Sequence, residues 1–233
     1  MNISDFIKKD GRTLPVFLLI DVSGSMKGEK IETVNVALKE MLNQFRKIAN
    51  PKGIIELCIL TFGNDQVKSI KDLSILKDTD HYVFDAEGNT PMGKAFETVT
   101  NLIEDYQVVS SRSYVPTIIL ISDGNPTDFP GYSAGMDLDQ ISKWDSMKLL
   151  HSGKRTSKAV KTALGIGNDV DMNILKAFIN NDTVPVIKAN DIQTINKYFQ
   201  WVTMSISVRS LSANPNQGTM VTPDLFDNES IEF

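Results

Sequence analysis

Three oxygen-bearing side chains, Asp21, Ser23 and Ser25, alternate in the stretch LLIDVSGSMKGEK (18–30), just where an apolar run ends. In extended chain, residues two apart point the same way, so one carboxylate and two hydroxyls can converge on one point. A second carboxylate, Asp123, closes another apolar run, PTIILIS (116–122). If the two runs are neighbours, two like charges meet in a poorly solvated place. That arrangement is unfavourable unless a cation stands between them. Carboxylates and hydroxyls are hard donors, suited to Mg²⁺, Mn²⁺ or Ca²⁺ rather than zinc. Softer donors do not compete: the only cysteine is Cys58, within an apolar run, and His81 and His151 have no partners at ligand spacing.

The elements that must position these groups follow from the hydrophobic pattern. PVFLLID (15–21), IIELCILTF (54–62) and PTIILIS (116–122) are short continuous apolar runs, the mark of strands buried on both faces. AVKTALGIG (159–167) and VPVIKA (184–189) read as further strands, and VKSI (67–70) as a short edge strand. Between them lie helical spacings. Ile31, Val34, Leu38, Met41, Leu42 and Phe45 mark one helix, ended by Asn50-Pro51 and Gly53. Met92, Ala95, Phe96, Val99 and Ile103 mark a second; Leu138, Ile141, Trp144 and Leu149 a third; Ile174, Leu175, Phe178 and Ile179 a short fourth. A last helix is expected from about Asp191 to Val208. Strands and helices that alternate in this way predict an α/β, doubly wound, mostly parallel sheet with helices on both faces, a Rossmann-like architecture. Ligands of such sheets bind beyond the carboxyl ends of the strands, where the strand order reverses. Asp21 and Asp123 both stand at such ends.

Composition narrows the function classes. The chain has 233 residues, 41% hydrophobic and 23% charged, enough for a sizeable core. Its formal charge of −5 argues against nucleic acid and anionic membrane as partners. One cysteine excludes an intrachain disulfide and fits a reducing compartment. MNISDFIKKD has no apolar signal core, and no apolar stretch reaches spanning length, so the expectation is a cytoplasmic protein without a membrane segment. Three parts are expected: an N-terminal segment (1–13), one domain (14–209) and a C-terminal tail or arm (210–233). The tail lacks Lys and Arg. Leu225, Phe226, Ile231 and Phe233 interleave there with Asp224, Asp227, Glu229 and Glu232, a pattern that suits docking on a protein surface.

DVSGSM resembles the D-x-S-x-S signature of the von Willebrand factor A (VWA) domain, and the order of elements over roughly 14–208 is similar to that family's. GNTPMGKAF and ISDGNPTD are most similar to VWA proteins of bacterial tellurium-resistance (TerY-like) clusters, which implies a stress-response setting. The resemblance implies a metal-ion-dependent adhesion site (MIDAS) and no catalysis. It implies that Ser23 and Ser25 bind the ion directly, that Thr90 supplies a third hydroxyl, and that Asp21 and Asp123 act directly or through water. The ion would be Mg²⁺, with Mn²⁺ or Ca²⁺ as alternatives. One coordination position would stay open for an Asp or Glu carboxylate of a partner protein, in this setting a kinase or phosphatase encoded in the same cluster.

Other readings compete. Thr90-Pro91 is also a good helix N-cap followed by proline at the first helical position. Asp123-Gly124 is also an ordinary turn. GNTPMGKA (88–95) spells most of a phosphate-binding loop, but Ala95 stands where the Mg²⁺-binding hydroxyl belongs, and Pro91 removes an N–H from the cradle. A haloacid-dehalogenase-like, Mg²⁺-dependent phosphatase would use Asp21 as its nucleophile. Such enzymes carry D-x-D, and Ser23 cannot replace the second carboxylate as general acid and base. Asp123 and Asp128 keep that alternative in play.

Overall fold

The computed structural model describes residues 12–48, 53–123, 125–216 and 231–232. Its elements are β1 (Thr13–Asp21), a 3₁₀ turn (Gly24–Met26), α1 (Glu29–Lys47), β2 (Ile54–Gly63), β3 (Gln66–Ile75), α2 (Met92–Glu104), β4 (Thr117–Ser122), α3 (Leu138–Ser142), α4 (Asp145–Ser152), a second 3₁₀ turn (Thr156–Lys158), β5 (Val160–Ile166), α5 (Met172–Ile179), β6 (Val186–Ala189), α6 (Ile192–Leu211) and β7 (Ile231–Glu232). One seven-stranded sheet runs in the order β3-β2-β1-β4-β5-β6-β7. The five inner strands are parallel, and the two edge strands, β3 and β7, are antiparallel to their neighbours. This is the doubly wound α/β architecture that the alternation of elements predicts.

β1 shows why continuous apolar runs become inner strands. Val16, Leu18 and Ile20 enter one core with Val34, Leu38, Tyr198 and Trp201 from α1 and α6. Phe17 and Leu19 enter the other, with Phe96, Met147 and Phe178 from α2, α4 and α5. A strand with both faces covered needs apolar residues at every position. Fully burying each such side chain contributes about 1.5–3 kcal/mol. The chain winds from β1 through α1 to β2 on one side, and later places β4 on the other. Strand order therefore reverses between β1 and β4, which opens a crevice at their carboxyl ends.

Several expected elements differ in extent. VKSI is part of a ten-residue strand, because β3 pairs with β2 from Glu56 to Gly63 across an irregular register near Ile59. The expected helix over 138–149 is two helices. The first closes with Lys143 and Trp144 bonding back to Gln140 and Ile141, and the chain turns to bury Trp144 flat against Phe129, with centroids 4.5 Å apart. β6 begins after Pro185, which has no N–H for a ladder. Among the described residues no helix is long and apolar enough to cross a membrane.

The end of α6 is pinned to the side of the sheet opposite the crevice. Arg209, 1% exposed, donates to Thr117 Oγ1, to the Val115 carbonyl at 3.1 Å and to the Pro215 carbonyl at 3.1 and 3.2 Å. Burial pushes this guanidinium down to about 10. Asn216 accepts from the Val115 N–H at 2.8 Å. Of the expected C-terminal arm, Ile231 and Glu232 pair with Ile187 and Val186 of the same chain. Leu225, Phe226, Phe233 and the acids Asp224, Asp227 and Glu229 lie outside the described residues, as do residues 1–11. Replacing Arg209 with Met strands the Val115 and Pro215 carbonyls. We expect Arg209→Met to lower the unfolding free energy by ~2–4 kcal/mol, measured in urea. An unchanged midpoint would mean that other contacts hold this turn.

Candidate metal centre

β1 and β4 pair in parallel with Ile20 opposite Ile121, so Asp21 and Ser122 come next to each other at the crevice. Asp21 is fully buried. Its Oδ2 accepts the Ser122 hydroxyl at 2.5 Å, and its Oδ1 accepts the Ser23 N–H at 2.8 Å. The chain then makes the 3₁₀ turn, held down by the buried Met26 side chain. Ser23 Oγ lies 3.1 Å from Ser25 Oγ, and Ser25 Oγ donates to Asp123 Oδ1 at 2.7 Å. Asp21, Ser23, Ser25 and Asp123 thus form one hydrogen-bonded chain across the two strand ends. Ser23 and Asp123 are buried; Ser25 is exposed at the mouth.

The loop that carries Thr90 is laced to the turn after β1. Gly24 N–H donates to the Gly88 carbonyl at 2.8 Å, and Glu87 N–H to the Val22 carbonyl at 2.8 Å, which lace residues 87–88 to the turn after β1. Gly88 has φ +71°, and a Cβ there would lie 2.6 Å from Asn64 Cα, so only glycine fits both the conformation and the space. Two residues on, Thr90 is buried, and its backbone exchanges bonds with Thr127: N–H to Oγ1 at 3.1 Å, and carbonyl from the Thr127 N–H at 3.0 Å. Among the described residues its hydroxyl makes no hydrogen bond to the other four groups. Nor does it cap α2. Asp128 does so, accepting the N–H groups of Gly93 at 3.0 Å and Lys94 at 2.9 Å. The capping explanation for Thr90 therefore falls away.

Burial pushes the Asp21 carboxyl up to about 6, against the hydrogen bonds from Ser122 and Ser23, which pull it down; the charge of Asp123 adds to the rise. One cation balances the two carboxylates. Lys30, in the first turn of α1, donates to Asp123 Oδ2 and to the Ser25 carbonyl. Lys30 and Ser122 escape sequence reasoning, with only the order S-D at the end of β4 hinting at Ser122, and Asp128, read from sequence as a second phosphatase carboxylate, caps α2 instead. Among the described residues no group of three or more His, Cys, Asp and Glu side chains could hold a metal. The groups gathered here, the Asp21 and Asp123 carboxylates with the Ser23 and Ser25 hydroxyls, are all hard oxygen, a chemistry that suits a hard divalent cation. They do not fit a two-carboxylate phosphatase. Both oxygens of Asp21 are engaged in a fully buried position, and Asp128 is committed to α2.

The sequence model of the von Willebrand factor type A domain matches residues 16–201. Solved structures with a similar fold include a von Willebrand factor type A protein from Catenulispora acidiphila, 15% identical, with a TM-score of 0.63, over 84% of this chain and 43% of that one. The vWF domain of the type V pili tip protein Mfa5 from Porphyromonas gingivalis is 11% identical, with a TM-score of 0.63, over 85% and 96%. Proximal thread matrix protein 1 from the mussel byssus, solved with a zinc-occupied MIDAS motif, is 16% identical, with a TM-score of 0.60, over 84% and 48%. At these identities the likeness is one of fold. The chain spans under half the length of the bacterial and mussel proteins, and nearly all of the pilus-tip domain.

The raised Asp21 value gives a pH test. The folded protein keeps this proton to about pH 6, while an unfolded aspartic acid releases it near 3.8. Between those values the folded state binds more protons, so the contribution of Asp21 to stability declines as pH rises through that window. At neutral pH the buried charge costs ~1–3 kcal/mol. Asp21→Asn keeps the shape without the charge. We expect it to stabilise the protein in EDTA at pH 7 by that amount and to lose the advantage at pH 4. Denaturation curves of both proteins at the two pH values check this; a destabilised variant at pH 7 would contradict it.

Proposed function

Because this chain belongs to the von Willebrand factor type A domain family, we propose that it is a non-catalytic module that binds a protein partner through one divalent cation. The module is residues 14–209, flanked by 1–13 and 210–233. Ser23, Ser25 and Thr90 would hold the ion through hydroxyls, and Asp21 and Asp123 directly or through water. The observation that carries this reading is the unbroken chain Asp21–Ser23–Ser25–Asp123 at the strand ends, with its outermost hydroxyl exposed. All-oxygen donors favour Mg²⁺, then Mn²⁺ or Ca²⁺. The zinc in the mussel protein's MIDAS motif is a fact of that protein.

The hydroxyls explain what the site is for. Neutral ligands hold a cation without cancelling its charge, so the bound ion supplies residual positive charge at the mouth. An Asp or Glu carboxylate from a partner is the ligand that answers it, in a place partly shielded from water. A site filled with carboxylates would hold the ion and repel that ligand. The same logic leaves no role for Asp21 as a nucleophile, in keeping with Asp128 being tied to α2.

Similarity to the tellurium-resistance VWA proteins rests on GNTPMGKAF and ISDGNPTD, and both segments contribute to the site: Thr90 comes from the first, Ser122, Asp123, Thr127 and Asp128 from the second. On that basis we place the protein in the cytoplasm, in a stress response, with a kinase or phosphatase of the same cluster as partner. The charge of −5 supports protein over nucleic acid or membrane.

Calorimetric titration with Mg²⁺, Mn²⁺ and Ca²⁺ tests the site. We expect one saturable site, weakened about tenfold or more by Ser25→Ala. A folded protein that binds none of the three ions sinks the proposal. Hydrolysis of a generic phosphate ester with Mg²⁺, lost in Asp21→Asn, would favour the phosphatase instead.

A further inference from the structure

We propose that Lys30 is the resident counter-ion of this site, a tethered ammonium that competes with a divalent cation for Asp123 and the Ser25 turn. The inference rests on the metal-site reading above and deepens it: it names what the cation must displace.

The geometry is specific. Lys30 Nζ donates to Asp123 Oδ2, and to the Ser25 carbonyl at 3.2 Å. The other oxygen of the same carboxylate takes the Ser25 hydroxyl at 2.7 Å. The Asp123 side chain is 1% exposed, so it has little water to fall back on. Its charge is answered by this one ammonium. The site as it stands is therefore closed on itself: two carboxylates, one internal cation and hydroxyls turned to each other. A divalent cation held by Asp123 and Ser25 would meet the ammonium at the same carboxylate. Two cations there repel, so one must leave.

Lys30 is built to be the one that leaves. Its side chain is 37% exposed and hangs from a surface helix, whereas the carboxylates are fixed at strand ends. The turn after β5 makes room for it: Gly167 has φ +103°, and a Cβ at Gly167 would lie 3.2 Å from Lys30 Nζ and 3.4 Å from Cε. Beside that turn a groove of about 360 Å³ runs from Lys30 to the start of α6, and Glu29 and Asp191 are among its walls. A displaced ammonium enters an open groove that has the carboxylates of Glu29 and Asp191 on its walls. Entry of the ion is then an exchange of one cation for another, and the two states of Lys30 report whether the ion is present.

The test compares the full chain with Lys30→Met, Lys30→Gln and Lys30→Arg at pH 7.5, titrated with Mg²⁺ and with Mn²⁺. Removing a competitor should tighten both ions about tenfold in the Met and Gln variants, while the charge-preserving Arg variant stays close to the parent. In EDTA, Lys30→Met should melt below the parent, because Asp123 has lost the one ammonium that pairs with it among the described residues, and saturating Mg²⁺ should erase or reverse that deficit. Binding by Lys30→Met but not by the parent supports the exchange in its strongest form. Equal or weaker binding by the neutral variants overturns the exchange and leaves the metal-site reading intact. Absence of binding in every form overturns both.

Discussion

Adjacency of β1 and β4 forces two carboxylates to the same edge of the sheet, and most of the polar architecture is a response to that encounter. Each carboxylate stands at or just past the end of a run whose side chains are nearly all buried. The repulsion is met locally. Ser122 and the Ser23 N–H serve Asp21, Ser25 and Lys30 serve Asp123, and the residual cost appears in the proton affinity of Asp21. The cores on either face are what sustain this. A well-packed scaffold tolerates an unfavourable cluster of charge where a loose one would rearrange to relieve it.

The loops around the crevice are ordered by backbone more than by side-chain contacts. Residues 87–88 are stitched to Val22 and Gly24, Asn64 N–H reaches Glu87, and Thr90 and Thr127 clasp each other. A segment from 76 to 91 without helix or strand is long for an α/β connection. Here it is fixed at its far end because Asp128, from the loop after β4, caps α2. One carboxylate thereby ties the loop carrying Thr90 to the loop carrying Asp123.

Some of this was legible from the chain and some was not, and the division follows the range of the interaction. Asp21, Ser23 and Ser25 are close in sequence and stand after an unmistakable buried strand, so their convergence is a local matter. Asp123 is readable by the same reasoning applied to β4. Thr90 was ambiguous because Thr-Pro before an apolar helix is good capping chemistry; the answer depends on Asp128, far along the chain. Lys30 looks like one more surface lysine, and nothing near it signals that α1 aims it at Asp123. The break between α3 and α4 was likewise hidden, since helical spacing continues across it and only the stacking of Trp144 on Phe129 redirects the chain.

The two antiparallel edge strands also bear on how copies of this chain behave toward each other. An uncovered sheet margin offers free N–H and carbonyl groups to any extended segment, including the matching margin of a second molecule. β7 lies against β6 at Val186 and Ile187, where a parallel sheet would otherwise end in a bare apolar rim. At the opposite margin β3 places the exposed Lys68 and Asp72 along the rim and has an irregular register with β2, both poor templates for flat strand addition. The features that disfavour strand addition at these margins act equally against a second copy of the chain.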